Sequence, residues 1–199
     1  MANTDNPRGF IPVGHLNGSP YNGAGRWYYA VSTELIFKGD LVISDGTADS
    51  YGNPGITIAA TDSGTFRGVA LAFSGSRPGS AMTATNHELK YKTQANITCY
   101  VFVADVPDTI FEVQEDGTMA ATAIGLNAEV VGHGSGDTTS GISAMELDSS
   151  VVSATAAECR MLGPVKRPSN TFATDNSDLL VVIANHELTS STQILAGAK

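Results

Sequence analysis

Apolar and polar residues alternate along this chain in short bursts, with no sustained 3.6-residue period of the kind an amphipathic helix requires. "LIFKGDLVISDGT" (35–47) holds two apolar runs broken by Gly39-Asp40, then by Asp45-Gly46, a pair that predicts a hairpin turn. "GITIAAT" (55–61) and "TFRGVALAF" (65–73) follow as strands, and "GSRPGS" (75–80) reads as a loop. The stretch 88–104 predicts one or two strands, alternating at first and continuously apolar from Cys99 to Ala104. In 109–115, Phe111 and Val113 fall on one strand face, with Glu112 and Gln114 on the other.

Two segments break that rhythm. Met119–Ile124 has room for a turn of helix ended by Gly125, and 132–141 is a loop by composition. Strands resume at 142–148 and 157–165, a loop covers 168–178, and 179–188 closes the pattern as a buried strand. Short strands separated by frequent turn signals predict an all-β protein, a single β-barrel or β-sandwich domain. That domain is expected over 31–188, with a sub-division near 118 as the alternative, followed by a C-terminal tail at 189–199.

Residues 1–30 show neither period. They are rich in glycine, carry three prolines and no acid after Asp5, yet hold Phe10, Tyr21, Trp27, Tyr28 and Tyr29. Such a segment cannot build its own core, and its aromatic rings need cover from water. The expectation is an extended N-terminal arm lying on its own domain, a sister subunit or a larger partner. Its contact residues would be Arg8, Phe10, Tyr21, Arg26, Trp27, Tyr28 and Tyr29, with Arg8 and Arg26 pairing to acids on that surface.

Composition narrows the partners. Hydrophobic residues reach 42%, enough for a core, while charged residues are only 16% and the net charge is −9. A chain this acidic lacks the cationic surface that nucleic acid or an anionic membrane demands. No apolar run approaches a membrane span, and the N-terminus lacks the regions of a signal peptide. Cys99 and Cys159 have no CxxC spacing, so reduced thiols in an intracellular product are expected.

"DVPDTIFEVQED" (105–116) contains Asp105, Asp108, Glu112, Glu115 and Asp116, but no base to tune a carboxylate and no calcium-loop spacing. It reads as a solvent-facing hairpin with Asp105 and Asp108 at the tip. His15, His87, His133 and His186 form no HxH, HxxxH or HExxH motif, although "NHEL" occurs at both 86–89 and 185–188. No GxSxG elbow or phosphate-binding glycine loop is present, and Cys99 sits in an apolar run. No catalytic residue, metal ligand or cofactor is therefore expected. Trp27-Tyr28-Tyr29 raises sugar stacking, but neighbours on a strand face opposite ways, so three in a row make no flat platform.

"PRGFIPVGHLNGSPYNGAGRWYY", "YVFVADVPDTIFEVQEDG", "TTSGISAMELD" and "CRMLGPV" together resemble bacteriophage capsid decoration proteins, also termed head cement proteins. The resemblance spans most of the chain in order and includes no catalytic signature. It implies a non-enzymatic β-rich protein, made in the host cytoplasm and placed on the outside of the phage head. There it would fasten neighbouring major capsid protein subunits, as a trimer at local three-fold positions. The alternatives are a virion-associated glycan- or receptor-binding module and, less well supported by motifs, an esterase-like hydrolase.

Overall fold

The computed structural model describes residues 3–31, 33–60, 64–80, 89–93, 98–153 and 158–189, and these form an all-β fold. Five strands close into a barrel in the order β2 (Arg26–Ala30), β4 (Pro54–Ile58), β3 (Leu41–Ala48), β5 (Gly68–Ser74), β6 (Cys99–Ala104). A six-stranded sheet follows the order β1 (Ile11–His15), β7 (Thr109–Gln114), β13 (Asp178–Ile183), β12 (Cys159–Pro164), β8 (Asn127–Val131), β11 (Glu146–Ser153). A small ribbon, β9 (Gly136–Asp137) with β10 (Ile142–Ser143), lies beside them. Val101 and Val103 of β6, like Leu179 and Val181 of β13, are fully buried, as the period-2 reading requires. Barrel and sheet share one hydrophobic core.

The N-terminal segment departs from the extended arm. Ile11–His15 is an edge strand of the sheet, paired antiparallel with β7, and Arg26–Ala30 is a barrel strand between β6 and β4. Phe10 is 1% exposed and packs edge-on against Phe111, with ring centroids 6.3 Å apart. The cover those aromatics needed comes from this chain's own strands. A five-residue strand interrupted by Pro12 and Gly14 is too short to show a period, and long-range partners define it. Its entry is tight: Gly9 has φ +64°, and a Cβ there would lie 2.6 Å from the Gly39 carbonyl oxygen.

Three further expectations are corrected. Asp45-Gly46 is no hairpin turn but part of an irregularity inside β3, where the register to β4 shifts between Ser44 and Ala48. The reversal comes later, where Asp49 N–H donates to the Asn53 carbonyl at 3.0 Å. The stretch 105–116 is not a solvent-facing hairpin: β6 belongs to the barrel and β7 to the sheet, so 105–108 is the crossing between them. Asp105, Thr109 and Glu115 are fully buried. Residues 142–148 divide between β10 and β11 instead of forming one strand. The helical turn expected at 119–124 is a 3-10 turn at Ala121–Ala123.

The crossing is pinned by one contact. Tyr28, 2% exposed, donates its hydroxyl hydrogen to Asp105 Oδ2 at 2.5 Å, and Arg26 Nε stands 3.4 Å from the same oxygen. Burial and the carboxylate raise the phenol's pKa, so it stays protonated and donating. Tyr28→Phe leaves a buried carboxylate short of its strongest donor and should cost about 2–3 kcal/mol, read as a lowered urea midpoint with an unchanged slope.

Candidate functional site

Arg8, Phe10, Tyr21 and Tyr28 are spent on the chain's own fold. Arg8 Nη2 donates to Glu112 Oε1 at 2.6 Å and to Asp178 Oδ1 at 2.7 Å. Arg167 grips the same two acids from the other side, through Glu112 Oε1 at 2.7 Å and Asp178 Oδ2. Two cations and two anions therefore hold the N-terminal segment against β7 and β13. Tyr21 packs on the His15 ring and donates its hydroxyl to the Ala24 carbonyl at 2.8 Å. Arg26 is exposed but pairs with the chain's own Asp105, and Trp27 and Tyr29 are half-buried.

The other candidates for chemistry also serve structure. His15 Nδ1 lies 3.0 Å from Asp108 Oδ1. His133 Nε2 donates to the Val130 carbonyl at 2.8 Å, and His186 Nδ1 accepts the Leu188 N–H at 3.1 Å. His186 is buried, and burial lowers its pKa, keeping the imidazole neutral. Its neighbour Glu187 accepts from Ser44 N–H at 2.8 Å, from the Ser44 hydroxyl at 2.6 Å and from Arg67 Nε at 2.9 Å. His87 and Glu88, the other half of the repeated "NHEL", lie outside the described residues. Among the described residues no group of three His, Cys, Asp or Glu is placed to hold a metal ion. Both cysteines are buried free thiols, and burial pushes Cys99 up to about 11.

Two surface features stand out. The first is an apolar edge. Ile11, Val13 and Leu16 are 38%, 40% and 57% exposed, in and just after edge strand β1. Beside them Phe10, Ile11, Pro12, Leu71 and Ile142 line a groove of about 190 Å³, together with Gly39 and the cations Arg8 and Lys38. Part of the strand's outer backbone is already capped: His15 N–H donates to Ser19 and Tyr21 N–H to Val13. What β1 offers a partner is therefore chiefly side chains.

The second is an aromatic face on the barrel. Cross-strand register sets Trp27 against Phe102 and Tyr29 against Tyr100, on the side opposite Tyr28, Val101 and Val103; Trp27, Phe102 and Tyr29 are half-buried, while Tyr100 is itself buried. The ring centroids are 5.4 Å apart at 60° in the first pair and 5.8 Å at 53° in the second. Tyr51, 68% exposed, carries the Arg77 guanidinium 3.9 Å above its ring. Only Trp27 and Tyr29 of these were named from sequence. No local pattern marks the β1 edge, and nothing local reveals which strand stands beside β2.

Asp40, next to the groove's Lys38 and Gly39, is fully buried and accepts the Phe37 N–H at 2.7 Å. Burial pushes its carboxyl up to about 7, and Glu146 is raised to about 7 as well, chiefly by burial. Comparison with known proteins gives no match to any family model, any curated protein or any solved structure.

A raised carboxyl pKa means the folded chain keeps a proton that the unfolded chain releases near pH 4. The contribution of Asp40 and Glu146 to stability thus falls as pH rises from about 4 to about 7. Asp40→Asn keeps an acceptor for Phe37 and removes the titration, so the variant should gain stability relative to wild type between pH 5 and pH 8, measured by urea unfolding.

Proposed function

We propose that this protein decorates the outside of a phage head and cements neighbouring major capsid protein subunits, as a trimer at local three-fold positions. The observation that carries the reading is the apolar edge of β1, where Ile11, Val13 and Leu16 stay exposed beside an apolar groove. A chain with net charge −9 has no electrostatic route to DNA, and this edge is where it can gain by burial.

The arithmetic favours adhesion by repetition. Covering one aliphatic side chain contributes roughly 1.5–3 kcal/mol. Three such side chains make a modest contact, and a trimer on a lattice multiplies it by effective concentration without enlarging any interface. The Arg8–Glu112–Arg167–Asp178 cluster suits that use, because it anchors the segment leading into β1 on both sides. A contact strand that yields under load would not cement. The sequence resemblance to decoration proteins points the same way.

Removing residues 2–29 would delete β1 and most of β2 and so would report on folding. Val13→Asp combined with Leu16→Asp changes only exposed positions. Added to heads stripped of decoration, that variant should reach about tenfold lower occupancy than wild type by co-sedimentation, while its circular dichroism and thermal midpoint stay unchanged. Full occupancy would remove the edge from the contact, and a monomeric mass for both proteins in solution would remove the pre-formed trimer.

A further inference from the structure

After β13 the chain leaves the sheet, and residues 184–189 are tied down on the barrel. Phe66 N–H donates to the Asn185 carbonyl at 2.9 Å, and the Phe66 carbonyl accepts the Glu187 N–H at 2.8 Å. The Glu187 carboxylate adds its contacts to Ser44 and Arg67, and Arg67 Nη2 donates to Ser44 Oγ at 2.8 Å. This strap joins the last strand of the sheet to β3 and to the residues leading into β5.

His186 sits in the middle of the strap, 2% exposed, and its geometry fixes which nitrogen carries the hydrogen. The Leu188 N–H points at Nδ1 from 3.1 Å, and a backbone amide can only donate. Nδ1 therefore offers a lone pair, and the neutral ring has its hydrogen on Nε2. The Thr189 N–H and hydroxyl both donate to the His186 carbonyl at 3.0 Å and close the turn. A second proton can go only to Nδ1, where it meets the Leu188 N–H. Two donors then face each other, a hydrogen bond is lost, and a cation is left in a buried position.

Of the charges facing the ring, Asp105 and Glu187 favour the cation and Arg67 opposes it, but burial is the largest influence and lowers the pKa. Both acids are already engaged, Asp105 by Tyr28 and Arg26, Glu187 by Ser44 and Arg67. Tyr28, whose ring lies 5.6 Å from the Arg67 guanidinium, stays protonated and adds no charge. The neutral ring's contribution is whole above about pH 6.5 and is lost as pH falls below it.

We propose that residues 184–189 are a proton-operated latch between sheet and barrel, closed while the His186 Nδ1 lone pair holds the Leu188 N–H and opened by protonation of that nitrogen. Opening frees the strap from Ser44, Phe66 and Arg67. It leaves β13 in place, because that strand is paired on both sides, with β12 and with β7.

Hydrogen exchange read by mass spectrometry on the full chain tests the latch, with exchange times scaled for the intrinsic effect of pH. From about pH 7.5 to about pH 5, protection of the 184–189 amides should fall about fivefold while that of β7 and β13 holds. The buried carboxyls of Asp40 and Glu146 move stability the opposite way over this range, so a loss confined to the strap is not theirs. His186→Asn keeps an oxygen to accept the Leu188 N–H and does not titrate, so its strap protection should be the same at both pH values. Constant protection in wild type overturns the latch, as does an equal fall in His186→Asn or a matching loss across β7 and β13. If His186→Asn does not fold, nitrogen-15 NMR of the wild-type histidines decides. The Nε2–H tautomer at neutral pH, protonating in step with the loss of protection, is expected, and an Nδ1–H tautomer overturns the proposal. None of these residues belongs to the β1 edge, so either outcome leaves the capsid reading to its own test.

Discussion

The fold turns on a buried carboxylate at the point where the chain leaves the barrel for the sheet. Asp105 is fully buried, and what makes that tolerable is the Tyr28 hydroxyl 2.5 Å from one of its oxygens, with the Arg26 guanidinium beside it. Both partners come from β2, a strand in the segment that looked least able to fold. An ionised group out of water is costly unless it is paired and hydrogen-bonded. The first thirty residues thus supply the partners that make the crossing stable, and both halves of the fold depend on that one segment.

The same segment is held a second time, at the sheet. Arg8 reaches Glu112 on β7 and Asp178 on β13, and Arg167 closes the square. Phe10 enters the shared core next to Phe111, and Gly9 lets the backbone pass against Gly39. Each residue expected to grip a foreign surface by burial or charge at this end of the segment grips its own. The polar and apolar anchors alternate so that the intervening side chains of β1 face outward.

That leaves surface chemistry of two kinds on one body. The β1 edge is aliphatic and suited to dry burial against a partner, which is the basis of the proposed role on a phage head. The barrel face carries the half-buried rings of Trp27, Tyr29 and Phe102 beside the buried Tyr100.

The sequence by itself determined the class of fold. Alternating apolar residues, as in "TIFEVQE", and the apolar run at Cys99–Ala104 are local signals of strands with buried faces, and those strands are where the period placed them. The acidic balance and the burial of Cys99 were legible for the same reason, since both follow from composition and immediate context. Tertiary structure alone decided which strand lies next to which. Pairing β2 with β6 turned Tyr28 inward onto Asp105, made an aromatic ladder of Trp27, Phe102, Tyr29 and Tyr100, and converted an expected hairpin at 105–108 into a crossing. Strand pairing is a contact between residues some seventy positions apart, and no local pattern carries that register; it is selected by how completely the shared core and its few buried charges are satisfied at once.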